Sequence, residues 1–450
     1  MNLYTPGDGW FGTHVTWKDI EEDMRRELNT EAIFGKNKNV ENIGEGKGFM
    51  SRIVLVDPDW QHKDRNLPER FVVKILTLLA MRKLNDDMVE KNGTDSNFFT
   101  EELMRDFEER AKALHNAEVT LYNHVMTLQA GKFPAPKIYY TRKFSESNPV
   151  KGYIIMEHME DAKIVNIYEN VPPKAMNKIL HALAFLEACF LNVNTKKTDH
   201  FTQNMFSELY GPLLDEKAIE SSIQSLRKFG GEYLAEKIDS LNDVVRKFLD
   251  ATTADGLSEE LGMQRVVCHG DLWSGNILWR RSDDDGLDLA ALLDFQTVSM
   301  GCAASDLVRV FCACLSGRDR QEHWEELLEQ FYGYLKEEIS DQLLPYSLEQ
   351  LKESYLRFFP FGAFLIASLI GGLFDILCKN PDEEQKKKSM QTAREKLECL
   401  LDDIVFFYHR NQKSLDQEHP KNIHNHSARG TLDLCFNGHF VQRVQKAASF

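Results

Sequence analysis

The stretch RVVCHGDLWSGNILW at 265–279, followed by ALLDF at 291–295, constrains this chain more than any other part of it. Asp271, Asn276 five residues later and Asp294 fall between apolar segments that read as short strands. A carboxylate, an amide and a second carboxylate thus share one compact loop–hairpin unit, with the second Asp expected to open the next strand. Phosphoryl transfer to an alcohol needs a carboxylate to orient the hydroxyl and accept its proton, and ligands to hold Mg²⁺ on the nucleotide phosphates. Asp271 fits the base, and Asn276 and Asp294 fit the metal ligands. His269 would brace the loop through its hydrogen bonds. An isolated His-x-Asp could equally be a capped turn, so the whole constellation carries the reading.

Upstream features add the nucleotide side. Gly44, Gly46 and Gly48 in GEGKG let backbone amides approach phosphate without a Cβ in the way, and Ser51 adds a hydroxyl donor. A glycine cluster alone is also an ordinary tight turn. This one is not a Walker A loop, because no GK[ST] occurs and a strand rather than a helix follows. Lys74 lies inside FVVKIL with apolar neighbours on both faces. Its ammonium must find a partner or reach the surface. In ALHNAEVTLYNHVM, Leu114, Glu118, Leu121 and Val125 share one helical face. A carboxylate in that apolar stripe suggests a Lys74–Glu118 pair that positions ATP phosphates. Asp306, in ASDLVRVF, begins a helix, either as a simple cap or also as a tie to the 269–276 loop.

The order of elements, strands with one long helix and then helices enclosing a small hairpin, predicts an α+β chain. Its first lobe would be small and β-rich, its second larger and mostly helical. Residues 1–40 read as a helical lead-in with Thr16 or Asp19 as a cap, 41–160 as the first lobe, 161–410 as the second, and 411–450 as a weakly ordered or atypical tail. At 450 residues, two cooperating lobes are expected. The formal net charge of −16 disfavours nucleic acid or an anionic membrane as the main partner. It leaves Mg²⁺-bound ATP open. Eight cysteines without a CxxC pair read as buried thiols in a reducing, cytoplasmic compartment, and MNLYTPGDGW lacks the form of a signal peptide. Residues 358–374 carry no charge for 17 positions, and a spanning helix needs about 20 apolar residues. Pro360 and Gly371–Gly372 interrupt the run, which favours a buried helix of the second lobe over stable membrane insertion.

HGDLWSGN with LLDFQ resembles the aminoglycoside phosphotransferase and choline kinase branch of the protein-kinase-like superfamily. FGTHVTW, NIGEGKGFMSRI, LPERFVVKI, KGYIIME, SDLVRVF and LSGRDR narrow the resemblance to the CHK kinase-like, or ecdysteroid kinase-like, group in its nematode form. The likeness runs over about residues 10–410. It implies the two-lobed kinase-like fold, ATP and Mg²⁺ as cofactors, and a small hydroxyl-bearing molecule as partner, sterol-, choline- or aminoglycoside-like. It also implies Glu157–Met159 as the hinge beside adenine, with Lys74, Glu118, Asp271, Asn276 and Asp294 in the roles above. Gly270 stands where protein kinases carry the arginine of HRD, and only eleven residues separate Asp294 from Asp306, so an activation loop has little room. The competing reading is a catalytically inactive pseudokinase serving as a binding scaffold. Acceptor contacts are expected near 195–215 and 355–375.

Overall fold

The computed structural model describes residues 1–44, 50–83, 86, 100–128, 133–191, 200–211, 214–282, 286–340, 342–377 and 382–418. Helix α1 (Trp17–Leu28) starts on a capping box: Thr16 accepts from the Asp19 N–H, and the Asp19 carboxylate accepts from the Thr16 N–H. The first lobe is a five-stranded antiparallel sheet ordered β1-β2-β3-β5-β4, with β1 Asn39–Asn42, β2 Ser51–Asp57, β3 Phe71–Leu76, β4 Ile138–Arg142 and β5 Tyr153–Glu157. Helix α2 (Glu101–Leu128) is inserted between β3 and β4.

Strand β3 is central and buried along its whole length. The strand period of two sorts its residues. Phe71, Val73 and Ile75 face a core built with Trp10, Val15, Ile20, Met24, Phe34 and Trp60, so the N-terminal segment covers one side of the sheet. Val72 turns to the other side, toward α2 and the second lobe, and Lys74 shares its face. This alternation decides where the lysine points.

In the second lobe, α3 (Pro173–Leu191), α4 (Glu216–Gly230), α5 (Ala235–Phe248), α6 (Ala304–Cys314), α7 (Gly317–Ile339), α8 (Leu348–Leu377) and α9 (Glu383–Glu418) enclose five short strands. These are β6 (Lys163–Ile164), β7 (Val266–Cys268), β8 (Ile277–Arg281), β9 (Leu287–Leu292) and β10 (Ser299–Gly301). Strand β7 pairs with β10 and β8 with β9, both antiparallel. Cys268 lies opposite Ser299 and Ile277 opposite Leu292. The two ladders pin both ends of loop 269–276 against both ends of loop 293–298, which places the catalytic candidates together.

The apolar run 358–374 lies within α8. Phe358, Phe359, Phe361, Phe364, Ile366, Ile370 and Phe374 are buried in the core of the helical lobe. Cys312 and Cys314, on α6, are buried free thiols. Helix α9 continues through Glu418, so the first part of the segment read as a tail is helical, and Asn411 donates to the Leu356 carbonyl at 3.0 Å. Residues 419–450 lie outside the described residues.

Candidate active site

Lys74, 4% exposed, meets two carboxylates. Its Nζ donates to both oxygens of Glu118, at 2.8 and 2.7 Å, and to Oδ1 of Asp294 at 2.6 Å. Glu118 is 1% exposed, and its Oε1 also accepts the Phe295 N–H at 3.2 Å. Leu121 and Val125, one and two turns along α2, are buried on the same side, as their shared helical face predicts. Burial works to strip the proton from Lys74, but Asp294 and Glu118 outweigh it and raise its pKa. The ammonium stays charged, held between one carboxylate from each lobe.

Asp294 does not open a strand as its sequence context suggested. Strand β9 ends at Leu292, the Leu293 N–H adds one further in-register bond to the Asn276 carbonyl at 2.9 Å, and Asp294 then takes a left-handed φ of 63°. Asp is among the few non-glycine residues that tolerate this region. The turn swings its carboxylate, 30% exposed, onto Lys74.

The 269–276 loop is fixed from several sides. Asp306, in the first turn of α6, accepts the N–H groups of His269 and Gly270 at 2.6 and 2.9 Å. The helix cap itself is Ala303, so Asp306 ties helix to loop rather than capping. Gly270 has φ +82°, and a Cβ there would stand 2.1 Å from the Thr297 carbonyl oxygen, so no side chain fits where HRD kinases carry arginine. His269 Nε2 bonds the Leu293 carbonyl at 2.9 Å, and its Nδ1 accepts the Asp271 N–H at 3.3 Å. This assigns the proton to Nε2. His269 therefore braces loop against loop. Asn276 Nδ2 donates to the Asp271 carbonyl at 2.8 Å and to its Oδ2 at 3.1 Å. With its nitrogen so engaged, the Asn276 amide oxygen is the group left for a cation. Asp271 Oδ1 accepts from Arg309 Nη2 at 2.5 Å. Burial raises the Asp271 pKa, and Arg309 opposes it.

Two buried imidazoles should each destabilise the fold as pH falls. Burial pushes His269 and His115 each down to about 4 from the ordinary 6.5. The folded state holds both neutral, so their stabilising contribution is complete above pH 6.5 and is lost as pH falls toward 4. These two groups contribute an uptake of about two protons on unfolding, about 2.7 kcal/mol per pH unit, and carboxyls whose pKa burial raises, such as Asp306 at about 6, offset part of it. Urea titrations at several pH values check this. His115→Gln, which keeps a partner for the Arg142 carbonyl that His115 Nε2 meets at 2.9 Å, should change the slope by about one proton, about 1.4 kcal/mol per pH unit, relative to wild type.

The remaining predicted residues are distributed along the first lobe. Gly44 closes the turn after β1, where a Cβ would meet Ile53 Cγ1 at 2.9 Å. Gly46 and Gly48 lie outside the described residues. Ser51 opens β2, and its hydroxyl is buried without a hydrogen-bond partner among the described residues. Glu157 ends β5, its N–H donating to the Lys137 carbonyl at 2.8 Å. The Met159 carbonyl accepts from the Ala162 N–H at 3.1 Å. The sequence reading missed Arg309. It sits in VRVF with apolar residues on either side, the same signal that singled out Lys74.

The DUF1679 family model, described as "Uncharacterized oxidoreductase dhs-27", matches residues 3–412. Among curated proteins, the chain is 24% identical over 329 residues to "Uncharacterized kinase-like protein D1044.1" of Caenorhabditis elegans, covering 72% of this chain and 80% of that one. It is 21% identical over 391 residues to "Uncharacterized oxidoreductase dhs-27" of the same organism, covering 84% of this chain but only 44% of that protein. Solved structures that align with it include a choline kinase from Cryptosporidium parvum Iowa II (12% identity, 85% of this chain and 91% of that one, TM-score 0.40). A Plasmodium vivax ethanolamine kinase also aligns (14% identity, 82% and 83%, TM-score 0.35). A dinucleotide-binding oxidoreductase unit is built from parallel strands with a crossover helix. Every ladder between the named strands here is antiparallel, so the described residues contain no such unit.

Proposed function

This chain belongs to the DUF1679 family, and on that premise we propose that it is an ATP- and Mg²⁺-dependent phosphotransferase acting on an alcohol group of a small molecule. The observation that carries the reading is Lys74 bridging Glu118 and Asp294, next to the Asp271–Asn276 loop. Bound Mg²⁺-ATP supplies the phosphoryl group and the cation that offsets its charge. Lys74 holds phosphate oxygens, with Glu118 fixing the ammonium. Gly44, Gly46, Gly48 and Ser51 cover the phosphates, and Glu157 to Met159 border the base. Asn276 and Asp294 are the metal ligands. Asp271 orients the acceptor hydroxyl and takes its proton at Oδ2, the oxygen with the longer hydrogen bond. Residues 41–160 then form the nucleotide lobe and 161–410 the acceptor side, in a cytoplasmic protein. The acceptor is a sterol-, choline- or aminoglycoside-like alcohol.

One observation favours a pseudokinase instead: both Asp271 oxygens already have partners in Arg309 and Asn276. Calorimetry and thermal melting with Mg²⁺-ATP, followed by ATP consumption over a pool of hydroxylated metabolites, separate the readings. Nucleotide at about 100 times its Kd should add about 2.7 kcal/mol. No stabilisation at millimolar Mg²⁺-ATP would sink the kinase reading. Binding without consumption over a broad pool would favour the scaffold.

A further inference from the structure

Arg309 is 2% exposed on α6, inside an apolar helix, and its Nη2 donates to the Asp271 carboxylate. Its Nε and Nη1 are buried without a hydrogen-bond partner among the described residues. A guanidinium kept only for packing or stability would be expected to satisfy more of its five donors, since a buried donor left unbonded is costly. Tyr210 is its other polar neighbour, with the ring 5.8 Å from its Cζ and a side-chain hydrogen bond between the two. Asp306, three residues earlier and on the same helical face, holds the backbone of His269 and Gly270. One face of α6 thus grips three consecutive residues: two by their N–H groups, the third by its side chain.

We infer that Arg309 is a positioning residue, fixing the Asp271 carboxylate so that Oδ2 is presented to the acceptor hydroxyl. The inference rests on the phosphotransferase reading above. Oδ1 is tethered to α6, and Oδ2, bonded only to Asn276 Nδ2, keeps an open lone pair. The rotamer of Asp271 is then set by the helix rather than by substrate. Without the tether, Asp271 can turn away from an attacking oxygen while Lys74, Glu118 and Asp294 remain assembled, because none of these three bonds Arg309. Loss of Arg309 should therefore act on the chemical step and spare nucleotide binding.

The test is a mutant cycle on the full chain with Arg309→Met, Arg309→Lys, Asp271→Asn and the two combinations. ATP turnover with the acceptor pool, Mg²⁺-ATP affinity and melting temperature are read for each. Arg309→Met should lower kcat by about 10²-fold, the scale of a misplaced reacting group, with ATP KM unchanged. Arg309→Lys, which keeps a charge but not the planar fork, should fall between Arg309→Met and wild type. In the Asp271→Asn background neither substitution should slow turnover further, because a tether has nothing left to position. Multiplying losses in the double variants, or a fall in ATP affinity that parallels kcat, would make Arg309 a structural residue and overturn the inference. If Arg309→Met does not fold, the Arg309→Lys cycle gives the same decision. A wild-type chain without turnover would defeat the phosphotransferase reading and this inference with it. Failure of the inference alone leaves the wild type active.

Discussion

Asp271→Asn should lower turnover by about 10²-fold or more while leaving Mg²⁺-ATP affinity nearly intact, and Asp294→Asn should weaken both. The two carboxylates share one site but differ in what holds them. Asp271 is bonded by Arg309 and Asn276, on the second-lobe side of the cleft. Asp294 reaches across to Lys74 of the first lobe, the side proposed to hold the nucleotide. An amide at 271 keeps an oxygen for Arg309 but cannot accept the acceptor's proton. It also leaves a buried guanidinium facing a neutral group, so this variant should melt at a lower temperature than wild type. Calorimetry with Mg²⁺-ATP beside turnover distinguishes the roles. If the Asp271 variant loses nucleotide affinity and the Asp294 variant keeps it, the assignment is reversed. If neither changes turnover, the chain does not catalyse the reaction.

The second large effect concerns Lys74. Removing one member of a buried ion pair typically costs about 3–5 kcal/mol, because the survivor is left buried without compensation. Here the arrangement is a triple, and that makes the two substitutions unequal. Glu118→Gln leaves Lys74 with Asp294, whereas Lys74→Met leaves both carboxylates without their cation. Lys74→Met should be the more destabilising and should also abolish tight nucleotide binding. In the double variant the loss should fall well short of the sum, since the residues are in direct contact. Urea melts of the two single variants and the double variant measure this. Additive losses would show that the pair does not act as a unit.

These residues were legible because each broke a local pattern. Lys74 interrupts an apolar strand, Glu118 an apolar helical stripe, and the polar loop 269–276 a pair of apolar strands. Arg309 breaks its helix in the same way and was legible by the same rule, although the motif reading passed over it. The α+β organisation followed from the order of strand-like and helix-like segments, and the structure has it. Other features depend on contacts between distant segments and leave no periodic trace. The left-handed turn at Asp294 ends the β8–β9 pairing directly after Leu293 bonds Asn276 in register. The first sixteen residues show no helical or strand period, yet Leu3, Trp10 and Val15 are buried against the first lobe. Helix α9 outruns its expected end because the polar residues after 410 lie in a helix whose partners, such as Leu356, come from α8.

The Lys74 triple also sets an order on biosynthesis. Lys74 and Glu118 are 44 positions apart, whereas Lys74 and Asp294 are separated by 220. At about 5–20 residues per second, the lysine leaves the ribosome roughly 11–44 s before its second carboxylate exists. During that interval a nascent first lobe can pair its lysine with Glu118 alone, and the sheet face that carries both remains uncovered by the later helices. The candidate nucleotide site is thus among the last parts of the molecule to close. A chain stalled or cut between the lobes would present an apolar face with a half-neutralised cation at its centre, which is the kind of surface that chaperones and proteases recognise.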